Sequence, residues 1–352
     1  MSKLRILALN SLSPQHGSTI RFNLIVQYLK PHFSNIRIPQ AQNKILKTFA
    51  YFLWQSLSAP YDILFIQKFN PITLACILIA RLRFKYVWVD WDDLDHDMQK
   101  SEFFEYMVKT SEKIGPKLAH LITSHSNSIL GYAPYKKTYF LPQTIDDELF
   151  QLQHKPKDNP CFIKLGYHIN PSAKLIGYMC TFTHGGMLDL PNILDVWRQI
   201  HSYNKNVYFI LLAGGPFEKL AKHLINISGL SEKVIVTGFL EKKDVSKWLK
   251  QLDMAHIYLS PRPANYARVS LKLCEYLALG VPTLGQCLGE SEIQLGKWIM
   301  LCNKEDMAQR SLLYLGDPSL STKHLQFTWP STQQNVAKLA EYIKTKYNKP
   351  ND

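Results

Sequence analysis

Arg268, Ser270, Lys272 and Glu275 stand within eight positions of one another, in the stretch RVSLKLCE. A cation, a hydroxyl, a second cation and a carboxylate in that order suit a phosphorylated ligand. The cations and the unpaired N–H groups of a helix start, Leu271 among them, would meet phosphate, and the carboxylate would accept hydroxyls such as those of a ribose. The flanking pattern supplies the helix: MAHIYLS (254–260) reads as a strand ending in Ser-Pro, RVSLKLCEYLALG (268–280) has helical spacing and stops at Gly280, and VPTLGQ (281–286) opens another strand. Ser270 caps or lines the helix start. Glu275 follows Lys272 by three residues and Leu271 by one turn, so it shares the face that looks back toward the loop. The alternative is a solvated Lys272–Glu275 pair, worth a few tenths of a kcal/mol.

A second concentration of chemistry lies in VWVDWDDLDHD, where Asp90, Asp92, Asp93, Asp95, His96 and Asp97 crowd the end of an apolar run. Carboxylates and an imidazole at a strand's carboxyl end could bind metal, take the proton of an acceptor hydroxyl, or hold sugar hydroxyls. The spacing is not that of a calcium loop. Capping of the next helix, or pairing with nearby basic residues, would be the structural alternative. Asp92, Asp93 and His96 are the candidates for a catalytic role.

Apolar runs alternating with helical stretches position both groups. Strands are expected at 4–10, 35–38, 63–67, 86–90, 120–124 and 138–141, and again at 174–182, 207–215, 233–240, 254–260 and 281–286. That is the signature of parallel sheets with helical crossovers. A chain of 352 residues exceeds the size at which one core keeps growing, so two domains are expected. Gly17, between His16 and Ser18, opens the first helix at a turn where a substrate could approach the backbone, although no G-x-G-x-x-G is present.

The net charge is +13, and Met1–Val89 holds eleven lysines and arginines against one acid, Asp62. A basic region interleaved with aromatics attracts nucleic acid or anionic lipid. The segments 44–57 and 71–83 have the basic and apolar spacing of helices lying in a membrane interface, or of ordinary crossovers packed on a sheet. No nucleic-acid motif is present. No apolar run reaches the roughly 20 residues needed to cross a bilayer, so a cytoplasmic protein, soluble or peripheral on the inner face of the membrane, is expected. The six cysteines show neither metal nor redox spacing and read as reduced, buried thiols.

The stretch 257–282 resembles the nucleotide-sugar site of GT-B glycosyltransferases, in particular the retaining, family 4-like group (glycosyl transferases group 1). SPRPANY, LKLCEYLALG and VP stand for that family's loop, glutamate-bearing helix and Gly-Pro turn. The resemblance implies an α/β fold of two Rossmann-like, doubly wound domains facing a cleft. An acceptor-binding domain would span 1–150, a linker 151–172, a nucleotide-sugar domain 173–328, and a helix crossing back 329–352. Glu275 matches the second of two glutamates eight positions apart and would hold the donor ribose; Ala267 occupies the place of the first. Gly185 and Gly186 stand at the family's first glycine-rich turn, and Gly214 and Gly238 match glycines after later strands. No arginine or lysine flanks the 185–186 turn for the diphosphate, which leaves Arg262, Arg268 and Lys272 to substitute. The implied activity is transfer of a sugar from a nucleotide-sugar donor to a glycan or lipid-linked acceptor, in cell-surface polysaccharide or glycolipid synthesis, without metal or other cofactor. A nucleotide-sugar epimerase of the same fold, or an inactive relative that only binds, are the alternatives.

Overall fold

A computed structural model describes residues 4–12, 17–40, 45–98, 101–150, 169–170, 172–320 and 327–347. The chain divides into two compact units. The first comprises Met1–Asp147, Arg262–Leu271 and Pro330–Asp352, and the second Glu148–Pro261 and Lys272–Trp329. The expected linker, 151–172, lies almost wholly outside the described residues, as does His16.

The first unit is built on a parallel sheet of six strands, in the order β2-β1-β3-β4-β5-β6. These are β1 (Arg5–Leu9), β2 (Asn35–Arg37), β3 (Ile63–Gln67), β4 (Tyr86–Asp90), β5 (Leu121–Ser124) and β6 (Thr138–Phe140). Strands buried on both faces read as unbroken apolar runs, and ILFIQ of β3 is buried throughout. Alternate residues serve opposite faces. Leu7, Leu9, Leu64, Ile66, Val87 and Val89 pack in one cluster with Phe52 of α2 (Ile45–Ser58) and Cys76, Ile77 and Ala80 of α3 (Pro71–Leu82). Ile6, Ala8, Ile63, Phe65 and Trp88 pack in the other, with Phe22, Ile25 and Leu29 of α1 (Gly17–Leu29) and Val336, Leu339, Ala340 and Ile343 of the last helix, Thr332–Tyr347. Asp147 fixes the start of that last helix: its carboxylate accepts from Thr332 N at 3.0 Å, Gln333 N at 2.9 Å and Ser331 Oγ at 2.7 Å.

The second unit carries a second parallel sheet, in the order β12-β11-β10-β7-β8-β9. Its strands are β7 (Lys174–Met179), β8 (Val207–Leu212), β9 (Val234–Val236), β10 (Met254–Tyr258), β11 (Thr283–Gln286) and β12 (Met300–Leu301). The order runs outward in one direction from β7 and in the other from β10, so the topological switch lies between these two strands. Ligands of doubly wound sheets collect outside the carboxyl ends of the strands at such a switch. The two-residue β12 escapes sequence reading because a strand that short leaves no periodic signal.

The expected helix over 268–280 forms only at Leu271–Ala278, preceded by a separate short helix, Pro263–Ala267. The segment 262–271, expected in the second domain, clusters with the first unit instead. Its own bonds show why. Asp97 Oδ2 accepts from Ala264 N at 3.1 Å, Gln143 Nε2 donates to Val269 O at 3.0 Å, and Ala267 is buried in the cluster of Leu7, Trp91 and Leu94. No helix among the described residues is long and apolar enough to cross a membrane.

Candidate functional site

The helix Leu271–Ala278, which belongs to the second unit from Lys272 onward, follows β10 in the chain and carries Lys272 and Glu275. The two side chains do not pair with each other. Lys272 Nζ donates to the Tyr178 hydroxyl at 3.0 Å and lies 4.3 Å from the centre of its ring, a cation–π contact. Tyr178 belongs to β7, so Lys272 is fixed against one of the two strands that form the topological switch. Glu275, only 5% exposed, turns to Lys242, the first residue of the helix Lys242–Leu249, whose Nζ contacts Oε1. The solvated Lys272–Glu275 pair is thereby ruled out. Tyr276, the residue after Glu275, is fully buried, and its hydroxyl accepts from Met179 N at 2.7 Å.

The glycines separate on steric grounds. A Cβ at Gly186 would stand 1.9 Å from Thr181 O, and one at Gly214 2.6 Å from Phe239 N, so close chain packing demands both. Gly185 would meet nothing within 4 Å, which leaves its backbone approachable from solvent. Thr183 Oγ1 accepts from Gly186 N at 3.4 Å and caps the short turn of helix that follows β7. Gly238 has φ +71°, where other side chains are strained.

Arg262, Arg268, Ser270 and Leu271, expected beside Lys272 and Glu275, belong to the first unit. Arg268 Nη2 donates to Asn265 Oδ1 at 2.7 Å. Arg262 is the residue before the helix Pro263–Ala267, and its carbonyl accepts from Asn265 N and Tyr266 N. Ser270 is buried directly ahead of the longer helix. Gly17 starts α1 and would admit a Cβ freely.

The acidic group of the first unit resolves into three parts. Asp90 is structural: Arg21 of α1 grips it in two bonds, Nε to Oδ2 at 2.7 Å and Nη2 to Oδ1 at 3.0 Å, and Thr123 Oγ1 adds a third at 2.7 Å. Lys68, buried, is shared by Asp95 at 2.7 Å, Asp93 at 3.4 Å and Asp92 at 3.6 Å. Its φ of +64° is a left-handed conformation unusual outside glycine, held in place by these contacts. Burial disfavours the ammonium, but the three carboxylates outweigh it and hold the Lys68 pKa above the ordinary lysine value. Burial works against the Asp92 anion too, yet Lys68 and its other neighbours bring its pKa down to about 2. Asp95 goes the opposite way: burial, with repulsion from Asp93 and Asp92, raises it to about 7 despite Lys68. The third part is His96, partly exposed, whose Nδ1 contacts Oε2 of Glu112 on α4 (Glu102–Leu118), while Oε1 accepts from Asp95 N at 2.8 Å. Burial raises the Glu112 carboxyl against the pull of His96.

Lys68, Lys242, Tyr178, Arg21 and Glu112 were not singled out from sequence. Lys68 had a usable signal. It directly follows β3, β3 and β4 are neighbours in register with Gln67 opposite Asp90, and the acidic group directly follows β4. Lys242 had none, since nothing in GFLEKKD tells which lysine turns inward.

Residues 173–317 match the family model described as glycosyl transferases group 1. Solved structures align over nearly the whole chain. Sucrose-phosphate synthase from Thermosynechococcus elongatus does so with TM-score 0.69 and 13% identity, covering 98% of each chain. Over residues 173–317 the chain is similar to group 1 glycosyl transferases, and over nearly its whole length it shares the fold of these solved structures. UDP-GlcNAc 2-epimerase from Neisseria meningitidis, bound to UDP-GlcNAc, matches this GT-B chain with TM-score 0.64 and 10% identity over 97% of this chain and 100% of that one. TarM of S. aureus, in complex with fondaparinux, alpha-GlcNAc-glycerol and UDP, matches with TM-score 0.61 and 13% identity over 86% of this chain and 59% of that one. No curated protein matches the sequence. The two six-stranded parallel sheets are thus the Rossmann-like domains of a GT-B fold.

Proposed function

We propose that the protein is a glycosyltransferase that takes a sugar from a nucleotide-sugar donor and passes it to a glycan or lipid-linked acceptor. The observation that carries this reading is the separate anchoring of Lys272 and Glu275: a cation held at the β7 end of the switch and a buried carboxylate one turn further on. Lys272, with the N–H groups at the helix start, would meet the diphosphate, and Glu275 the ribose. Gly185 would admit the donor close to the backbone. Negative charge grows on the departing nucleoside diphosphate, and a fixed cation stabilises it without reorganisation. The match of residues 173–317 to group 1 glycosyl transferases supports the donor role, and neighbours solved with UDP or UDP-GlcNAc support a uridine nucleotide as the first donor to test.

The acceptor would lie on the first unit, whose basic, apolar helices α2 and α3 suit a lipid-linked substrate at an anionic membrane surface. In a retaining reaction the leaving phosphate itself can take the acceptor proton. In an inverting one His96, Asp92 or Asp93 would have to serve. The epimerase reading is favoured by one observation, the similarity to UDP-GlcNAc 2-epimerases over almost the full chain.

A thermal-shift screen of nucleoside diphosphates and nucleotide sugars, on wild type and Glu275→Ala, tests the reading. A ligand at 100 times its Kd should stabilise the wild type by about 2.7 kcal/mol, and the variant far less. Incubation of the stabilising nucleotide sugar without acceptor then separates the two activities, because only an epimerase returns an isomerised donor. Silence toward every nucleotide would remove the transferase reading.

A further inference from the structure

Glu275 is held by a side chain from another helix, and the neighbouring charges show that the arrangement is selective. Three lysines stand in the first six positions of the helix Lys242–Leu249. Lys243 pairs with Glu241 at 2.7 Å and Lys247 with Asp244 at 2.8 Å, both on the surface. Lys242 alone reaches inward, to Oε1 of Glu275, with its own side chain 31% exposed and that of Glu275 7%. Lys272, the cation nearest in sequence on the helix of Glu275, is committed to Tyr178.

A buried carboxylate needs a counter-charge, and removing one partner of such a pair leaves an expensive uncompensated ion. Lys242 meets that need through one oxygen. A carboxylate clamped at Oε1 has its plane fixed, and a fixed plane decides whether Oε2 and the remaining lone pair of Oε1 can take two hydroxyl donors from one sugar.

Resting on the reading of Glu275 given above, we propose that Lys242 is a positioning residue of the nucleotide subsite. By clamping Oε1 of Glu275 it aims the carboxylate at the 2′,3′-diol of the ribose, and so sets the preference of the site for ribonucleotides over deoxyribonucleotides. The general contribution of a cation to binding a diphosphate is a different role, because it would act on both kinds of nucleotide alike.

The two roles separate by calorimetric titration. The probes are UDP and its 2′-deoxy and 3′-deoxy counterparts, replaced by the corresponding GDP or ADP set if one of those is what stabilises the wild type. Hydrogen bonds to a charged acceptor imply that wild type prefers the ribonucleotide by about tenfold or more. In Lys242→Met the ribonucleotide weakens while the deoxy analogues change little, so the preference contracts toward unity. Lys242→Arg, which keeps a cationic donor, retains most of it. If Lys242→Met does not fold, Lys242→Gln keeps a neutral donor to Oε1 and gives an intermediate preference. Equal weakening of ribo- and deoxynucleotides in Lys242→Met or Lys242→Gln, with the wild-type preference intact, overturns the proposal and leaves Lys242 a general electrostatic contributor. A wild type that binds nucleotide with no preference for the diol overturns the proposal and the ribose role of Glu275 but not the transferase reading. A wild type that binds no nucleotide overturns both.

Discussion

Arg21 and Asp90 show how far a residue's meaning depends on its partner. In sequence Arg21 is one of eleven basic residues of the first 89, and Asp90 the first of an acidic group; folded, they are 1% and 0% exposed and bonded to each other. Arg21 also donates to Pro142 O at 2.8 Å and Leu141 O at 3.1 Å, so it ties α1, β4 and the segment after β6 together. Arg21→Met strands Asp90 as a buried anion and should cost about 3–5 kcal/mol in urea unfolding, whereas Arg21→Met with Asp90→Leu should recover a large part. Equal losses for the single and double substitutions would show that the pair is not the source. Asp95 gives a pH-dependent counterpart. Its folded pKa, raised to about 7, exceeds its unfolded value, so the folded state holds an extra proton between the two. The stability this contributes is complete below the unfolded value and is lost as pH rises through the folded one. His125, brought down to about 4 chiefly by burial, has the opposite sign: its contribution is present above the ordinary histidine value and is lost as pH falls toward 4. The two slopes oppose each other in the whole protein, so the test is a difference. Asp95→Asn should gain stability relative to wild type as pH is raised from about 4.5 to 7, a range bracketed by the ordinary carboxylate value and about 7. Unfolding curves for the two proteins that run parallel across this range would refute the assignment.

Elements were the most legible level of the sequence, for reasons that differ along the chain. Strands such as ILFIQ and YVWVD are read within a residue because they are buried on both faces and their apolar runs have sharp ends. The helix Leu271–Ala278 was read three residues too long at its start. RVS continues the helical spacing, but backbone bonds of the 262–271 segment to Asp97 and Gln143 hold it in another conformation, and such long-range partners leave no local mark. Ala267 is intelligible only at this level. It packs in the first unit's apolar cluster, so Ala267→Glu would bury a charge without a partner and should lower the melting temperature rather than add a sugar-binding carboxylate. The glycines after β7 make a sharper test. Gly186→Ala drives a Cβ into Thr181 O and should lower the melting temperature of the protein by several degrees, while Gly185→Ala, with open space around it, should leave melting unchanged and reduce only nucleotide-induced stabilisation. Identical melting of both variants would mean that the turn relaxes, and would remove the steric argument for Gly186.

For the whole molecule, net charge of +13 overstates what the surface presents near the N-terminus, since Arg21 and Lys68 are consumed internally by Asp90, Asp92, Asp93 and Asp95, and Arg5 pairs with Asp62. What remains is concentrated. α2 and α3 contain no acidic residue and pack against each other, and their outer residues include Leu46, Trp54, Leu57 and Leu82, followed by Phe84 at 96% exposure. Lys47 and Arg81 are exposed on the same two helices. Apolar side chains this exposed, among cations and without acids, match an anionic bilayer better than they match nucleic acid, because lipid rewards both the charge and the apolar area. The protein should therefore sediment with phosphatidylglycerol vesicles at low salt and release them as salt is raised, while phosphatidylcholine vesicles leave it in the supernatant. Charge alone would predict the same result, so the decisive variant keeps the charge and removes the apolar side chains. Trp54→Ser with Leu82→Ser should abolish most vesicle binding while leaving the nucleotide response proposed for the second unit unaltered. If that variant sediments as the wild type does, α2 and α3 are crossover helices whose exposed residues are incidental, and the acceptor must be sought away from a membrane.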